Sequence, residues 1–454
     1  MPLAKNQLHT VHIEGYTSEG EGVARIEGQV VFVKAAIQGE TCEIRILRST
    51  KNIAWAKIET LISPSPHRIE PLCPAFGPCG GCDFLHMSYE EELRAKEQRV
   101  TDALTRVGGL DIPTAPIIGA DQQTHYRNKA IFAVGAGPAT GFYRRRSHQI
   151  IPVTNCLIQA KSANRAASAL REWMSAYDIP AYDETTKKGL IRHLFIRVGR
   201  DALGAPEKSA VCIVATAAKL PNQTELIETL RRHCPEASGI LLCVNRDPGN
   251  VVLQGDFRTL WGEDTLTDTL CGLDFRLSPR SFFQINPPQA ERLYEKARAY
   301  AGLTGAETLL DLYCGTGTIT LIMAKDAKHA IGAEIVAPAI ADAKENARAN
   351  GIENAEFLLG DAGEAAKQLE TRGVKPDVII LDPPRKGLAP EVVTQVVKLA
   401  PKRVVYVSCD PATLARDLGR FAEQGYQAKE LTPVDMFPRC AHVEAVVWMQ
   451  RQDS

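Results

Sequence analysis

The chain has 454 residues, 44% of them hydrophobic and 24% charged, with 53 Lys and Arg against 54 Asp and Glu. That length exceeds what one hydrophobic core serves, so two to four domains are expected, and a net charge of -1 leaves any nucleic-acid binding to local basic patches. No apolar run is long enough to span a bilayer, and the opening MPLAKNQLHTVHIEG lacks the apolar centre of a signal peptide, so a soluble cytoplasmic monomer with no membrane partner is expected.

Residues 1–62 are rich in Val and Ile with Gly at turns, and IEGQVVFV has the form of a hairpin. Short strands at this spacing predict a small closed barrel of the OB kind. SPSPHRIEPLCP follows as a proline-rich linker. It leads into CPAFGPCGGC, where Cys73, Cys79 and Cys82 form a C-x5-C-x2-C cluster with Gly and Pro to allow sharp turns. Cys156, in PVTNC, is far along the chain but can close a four-thiolate site. Zinc and an iron–sulfur cluster both accept such ligands. In a cytosolic chain the 12 cysteines are expected to be buried, metal-bound or catalytic rather than disulfide-bonded.

Residues 90–107 have helical charge spacing and stop at Gly108-Gly109. From 124 to about 268 strands mix with one helix near 160–177. Three basic segments stand here: HYRNKA (125–130), GFYRRRSH (141–148) and IRHLFIR (191–197). A charge run is usually a solvated face. Tyr126, Tyr143 and Phe195 beside Arg point instead to RNA backbone contacts and base stacking. From 272 strands alternate with helices, which predicts βαβ units around a parallel sheet. The expected division is an OB-like domain over 1–62, a central α+β domain over 63–270 whose helix near 90–107 packs on the catalytic domain, and a Rossmann-like α/β domain over 271–454.

In that last domain ETLLDLYCGTGTITLIMA (307–324) is a strand, a glycine loop and a helix. Gly315 and Gly317 would let a ligand approach the backbone. Glu334 ends the second strand, where an acid can hold two ribose hydroxyls. Asp361 ends the third, where it could read an adenine edge. There is no G-x-G-x-x-G and no Lys-Ser/Thr after the loop, which disfavours a dinucleotide or a P-loop and favours a nucleoside without phosphates, of which S-adenosylmethionine is the common one. An α/β domain with tight turns and no ligand is the plainer alternative. PDVIILDPPRKG (376–387) ends a fourth strand at Asp382, either as a rigid exit or as an acid facing the cofactor's methyl. Enzymes that methylate exocyclic amines want an aromatic where Arg385 stands here.

VVYVSCDP (404–411) ends a fifth strand at Cys409. Asp410 is a good helix N-cap and Pro411 a good first helical residue, so the thiol should sit beside a helix N-terminus that favours thiolate. One Cys is ordinarily a small buried hydrophobe. Its place at a strand's carboxyl end, like those of Gly315, Glu334 and Asp382, favours a nucleophile. RCAHVEAVVWMQ (439–450) holds Glu444 in an apolar run. Facing water it would be an ordinary edge acid; buried, its pKa would rise toward neutrality, as a general base requires.

SFFQIN (281–286), DLYCGTGT (311–318), DPPRKG (382–387), SCDP (408–411) and HVE (442–444) occur in this order. Together they resemble the motifs of the uracil-C5 RNA methyltransferases, and the N-terminal barrel is similar to the TRAM domain of the ribosomal-RNA members. The resemblance implies Cys409 as nucleophile and Glu444 as base, with Gln284, Tyr313, Glu334 and Asp382 around S-adenosylmethionine. It implies a [4Fe-4S] cluster on Cys73, Cys79, Cys82 and Cys156, expected to fasten the segment near 73 to that near 156, far in function from methyl transfer. The implied substrate is a uridine of RNA, first of all 23S rRNA. A tRNA uridine, a cytosine-C5 activity, or an inactive metal-bearing RNA-binding protein are the alternatives. Two positions depart from the family, which usually has Asn at Asp410 and Thr at Cys440.

Overall fold

The computed structural model describes residues 3–200 and 206–452. Among them no helix is long and apolar enough to cross a membrane. Three large sheets follow one another along the chain, each with its own core.

The first has six strands between Leu8 and Ser63. Alternation sets its faces: in Thr41–Ser49, Cys42, Ile44 and Ile46 turn inward and meet Val31, Val33, Ala54 and Ala56. Gly22–Ile26 and Gln29–Lys34 form the expected hairpin, with Glu27 and Gly28 in left-handed backbone at its tip.

The second sheet has seven strands, in the order Asp256–Gly262, Ala237–Val244, Lys208–Ala215, Ile191–Gly199, Lys129–Gly135, Ala139–Tyr143 and Ile150–Pro152. Helices Lys161–Ala176 and Gln223–His233 supply Leu170, Trp173, Leu226 and Leu230, which pack on Phe132, Ile213 and Ile240 of the sheet.

The helix Tyr89–Asp102 begins where the Ser88 side chain accepts from the Glu91 backbone N–H. It runs on through a π-helical turn, Ala103–Val107, to Gly108. A Cβ at Gly108 would stand 3.1 Å from the Ala415 carbonyl oxygen, so this glycine lets the turn press against the helix Pro411–Ala422. The helix therefore packs on the third domain.

The third sheet is ordered Ala355–Leu359, His329–Glu334, Thr308–Leu312, Val378–Leu381, Arg403–Ser408, Glu444–Arg451, Tyr426–Val434. The first five strands are parallel, and Glu444–Arg451 runs antiparallel to both of its neighbours. Both faces are covered, which explains the continuous apolar runs in the sequence. The strand order reverses between Thr308–Leu312 and Val378–Leu381, leaving a crevice at the carboxyl edge. The expected boundary at 270/271 falls in the turn of a hairpin, Leu266–Leu270 with Leu273–Leu277, whose Leu270, Leu273, Phe275 and Leu277 join the core of this third sheet.

Candidate active site

The carboxyl edge of the third sheet gathers most of the singled-out residues. The chain leaves Thr308–Leu312 through Tyr313, held at a positive φ of 72°, and the amides of Tyr313 and Cys314 both donate to the Ala333 carbonyl at 3.0 Å. Glu334 is gripped from two sides: its carboxylate accepts from the Gly315 amide at 3.2 Å and the Val336 amide at 2.9 Å. The two glycines differ in task. Nothing lies within 4 Å of a Cβ built on Gly315, whereas one on Gly317 would stand 3.0 Å from both Ala343 and the Phe357 ring. Gly317 thus serves helix packing.

Tyr313, Glu334 and Asp361 line one cavity of about 610 Å³. Asp361 also caps the helix Ala362–Thr371, accepting from the Glu364 amide at 2.8 Å while Glu364 accepts from its own at 3.0 Å. Gln284 and Asp382 stand apart from that cavity, near the buried phenol of Tyr294, to which Asp382, Glu444 and Asp311 supply the nearby charge. Burial pushes Asp382 up to about 7.

Asp311 was not singled out by the sequence, although a lone acid in LLDLY is a signal. It is fully buried. Burial pushes it up to about 7 against a 2.6 Å hydrogen bond from the Thr320 hydroxyl, with Asp382 adding like charge. Its other carboxyl oxygen has no partner among the described residues.

Strand register brings the thiol and the last carboxyl together. Ser408 pairs with Ala445 and Val434 with Glu444. Cys409, just after Ser408, and Glu444, just before Ala445, therefore lie at the same end of neighbouring strands. Glu444 is 5% exposed. Burial pushes its pKa up to about 8, Asp382 adds to the rise, and Arg385 opposes it. Asp410 caps the next helix as expected, accepting from the Ala412 and Thr413 amides at 3.0 Å. The thiol is not acidified, however. Burial first, then the charges of Glu444 and Asp382, push Cys409 up to about 11 despite Arg385, a rise that opposes the thiolate that the helix terminus favours. Desolvation and like charge outweigh the helix terminus.

The four cysteines line a single apolar cavity of about 60 Å³, with Phe76, Leu85, Phe142, Val153 and Arg127. Among the described residues no three His, Cys, Asp or Glu side chains are arranged to hold one metal ion. The cavity is linked to the carboxyl edge of the third sheet. The Asp83 and Phe84 amides donate to the Arg439 carbonyl at 2.8 and 3.2 Å, and Asp83 accepts from the Ala441 amide at 2.8 Å. The cysteine segment is thereby tied to the loop 435–443 that delivers Glu444.

The basic segments also turn out differently. Tyr126 and Phe195 are buried, so neither can stack on a base. Arg192 is buried and donates to the Asn245 and Asp247 carbonyls. Arg197 is buried and donates to Ser281 O at 2.6 Å, while the Asn128 side chain donates to Gln284 O at 3.0 Å. Arg197 and Asn128 hold SFFQIN against the central sheet. Arg144, Arg145 and Arg146 are exposed.

Comparison with known proteins places this geometry. A family model described as tRNA (Uracil-5-)-methyltransferase matches residues 263–452, and a TRAM domain model matches 4–58. An uncharacterized RNA methyltransferase of Clostridium tetani is 40% identical over 452 residues, covering 99% of this chain and 97% of that one. Another, from Clostridium acetobutylicum, is 41% identical over 459 residues, covering 100% and 99%. The crystal structure of a Pyrococcus abyssi tRNA (uracil-54, C5)-methyltransferase in complex with S-adenosyl-L-homocysteine superposes with a TM-score of 0.77 at 26% identity, over 97% of this chain and 100% of that one. With full-length relatives on this scale and both domain models in place, the chain belongs to the S-adenosylmethionine-dependent uracil-C5 RNA methyltransferases.

Proposed function

We propose that this enzyme methylates C5 of a uridine in 23S rRNA through a covalent adduct between Cys409 and uracil C6. The observation that carries the mechanism is the placement of Cys409 and the buried Glu444 side by side at the end of neighbouring strands. Uracil C5 is a weak nucleophile. Bond formation between the Cys409 sulfur and C6 turns C5 into an enolate carbon able to attack. S-adenosylmethionine supplies the electrophilic methyl. Glu444 then takes the C5 proton, and the sulfur leaves as the 5,6 double bond re-forms. With the free thiol raised to about 11, Cys409 needs its proton removed as it adds, and Glu444 and Asp382 are the nearby bases. Glu334 and Tyr313 would hold the nucleoside end of the cofactor and Asp361 its base. Gln284 and Asp382 would face the reacting ring. A stacked base cannot reach the thiol, so the uridine must be flipped or lie in a loop.

The four cysteines are proposed to hold a [4Fe-4S] cluster. The donor set supports this: four thiols, apolar walls, and the Arg127 guanidinium to offset the cluster's negative charge. No step of the reaction needs electrons, so the group serves structure. Iron and sulfide should be found in protein purified without oxygen, and Cys82→Ser should lose both; zinc without sulfide would overturn the assignment.

The choice of 23S rRNA rests on the TRAM domain together with the cysteine spacing. The Pyrococcus abyssi neighbour acts on tRNA uracil-54, which keeps transfer RNA as the second reading. Mapping 5-methyluridine in RNA from cells with and without the gene decides between them. Loss from tRNA alone would move the substrate, and loss of 5-methylcytidine would refute uracil chemistry.

A further inference from the structure

Cys440 is a fifth cysteine in the apolar cluster that holds Cys73, Cys79, Cys82 and Cys156. It is 3% exposed, and its sulfur lies 3.2 Å from the carbonyl oxygen of Gly81, the residue before Cys82. The Arg127 guanidinium donates to the same sulfur at 3.3 Å. The Cys82 side chain packs in the same apolar cluster as Cys440. Every cysteine is unpaired in this structure. Cys82 belongs to the proline- and glycine-rich segment near the start of the central domain. Cys440 belongs to the loop that leads into Glu444.

We propose that Cys82 and Cys440 are a cross-domain oxidation site, at which a peroxide or a small-molecule disulfide joins the two sulfurs when no metal group occupies Cys82. With hydrogen peroxide, both thiol protons and the two electrons released by forming the S–S bond reduce the peroxide to two waters. With oxidised glutathione, one thiol first forms a mixed disulfide and the second displaces glutathione, leaving two glutathione thiols. The pairing depends only on the two sulfurs and not on which metal group the other thiols accept.

Two consequences follow from position. The disulfide withdraws Cys82 from ligation, so metal uptake by oxidised protein requires a reductant. It also bonds the loop 435–443 covalently to the cysteine segment, where it is otherwise held by the Asp83 and Arg439 hydrogen bonds.

The test uses the full chain, stripped of metal by chelation under argon and treated with oxidised glutathione. Free thiols are then alkylated, and peptides are read by mass spectrometry without reduction. A Cys82–Cys440 linked peptide should outnumber every other Cys82 pairing, and that preference should vanish in concentrated urea, where native proximity is lost. In Cys440→Thr and Cys440→Ser the Cys82–Cys440 link should be absent, and the mixed disulfide with glutathione should accumulate on Cys82 instead. A dominant Cys79–Cys82 or Cys73–Cys82 disulfide would overturn the proposal. So would full alkylation of Cys82 and Cys440 after oxidation.

Discussion

Lys96, fully buried on the helix Tyr89–Asp102, places its ammonium 2.6 Å from the carboxylate of Asp435, the residue that follows the strand Tyr426–Val434. The same ammonium meets Glu92 at 2.7 Å and the Phe437 carbonyl at 3.2 Å, and the Arg439 amide donates to Glu92 at 2.7 Å. Asp435 also accepts from the Tyr89 hydroxyl at 2.6 Å. A helix outside the catalytic domain thus anchors the loop that delivers Glu444.

Lys96→Met would leave the buried Asp435 without its cation and Glu92 with only the more distant Arg439 guanidinium at 3.4 Å. Breaking a buried pair in this way costs about 3–5 kcal/mol. Replacing Arg45, whose pair with Glu59 is part-exposed, should cost under about 1 kcal/mol. Denaturant unfolding of both variants measures the contrast, and equal losses would contradict the load placed on Lys96.

The raised pKa of Glu444 has a stability consequence. Its folded value, about 8, lies above the ordinary 4.5, so the folded state holds a proton that the unfolded state releases. Its contribution is complete below about 4.5 and is lost as pH rises to about 8. Glu444→Gln removes the charge and keeps the shape. At pH 9 it should be more stable than the wild type by about 2–4 kcal/mol, a difference that shrinks toward pH 5. Melting curves across that range check it, and a pH-independent difference would contradict burial as the cause.

The same variant separates adduct formation from release. In Glu444→Gln the thiol should still add to uridine, but loss of the C5 proton should fail, so a covalent protein–RNA complex accumulates. In the wild type, release should quicken as pH rises and level off above about 8, where Glu444 is ionised. Denaturing gels over a pH series read both effects, and normal turnover by the variant would remove Glu444 from the role of base.

Glu334→Ala should weaken binding of S-adenosyl-L-homocysteine about 10- to 100-fold, the range for losing hydrogen bonds to a charged group. It also releases the amides of Gly315 and Val336. Titration calorimetry reads the loss, and RNA affinity should be unchanged.

The edge of the third sheet was legible because chain-local signals built it. Apolar strands, each followed by a loop and a capped helix, place Gly315, Glu334, Asp361, Asp382 and Cys409 at strand ends without any long-range knowledge. The neighbourhood of Glu444 was legible only as a carboxyl in an apolar run. What the residues could not convey is pairing across the chain. Lys96 with Asp435, Arg197 with Ser281, and Cys82 with Cys440 join segments whose local patterns are silent about one another. The same gap explains Tyr126 and Phe195, which read as stacking aromatics but fill cores. It also explains Cys409, whose helix terminus is visible locally while the opposing carboxyls come from other strands.

The covalent role of Cys409 is tested most directly by incubating the enzyme with S-adenosylmethionine and an RNA fragment carrying 5-fluorouridine at the methylated position. Fluorine at C5 cannot leave as a proton does, so the adduct should be trapped. Wild-type protein is expected to give a complex that survives denaturation, with the RNA attached to the peptide containing Cys409, and Cys409→Ala should give neither complex nor methylation. Methyl transfer by Cys409→Ala, or a trapped RNA on any other residue, would contradict it.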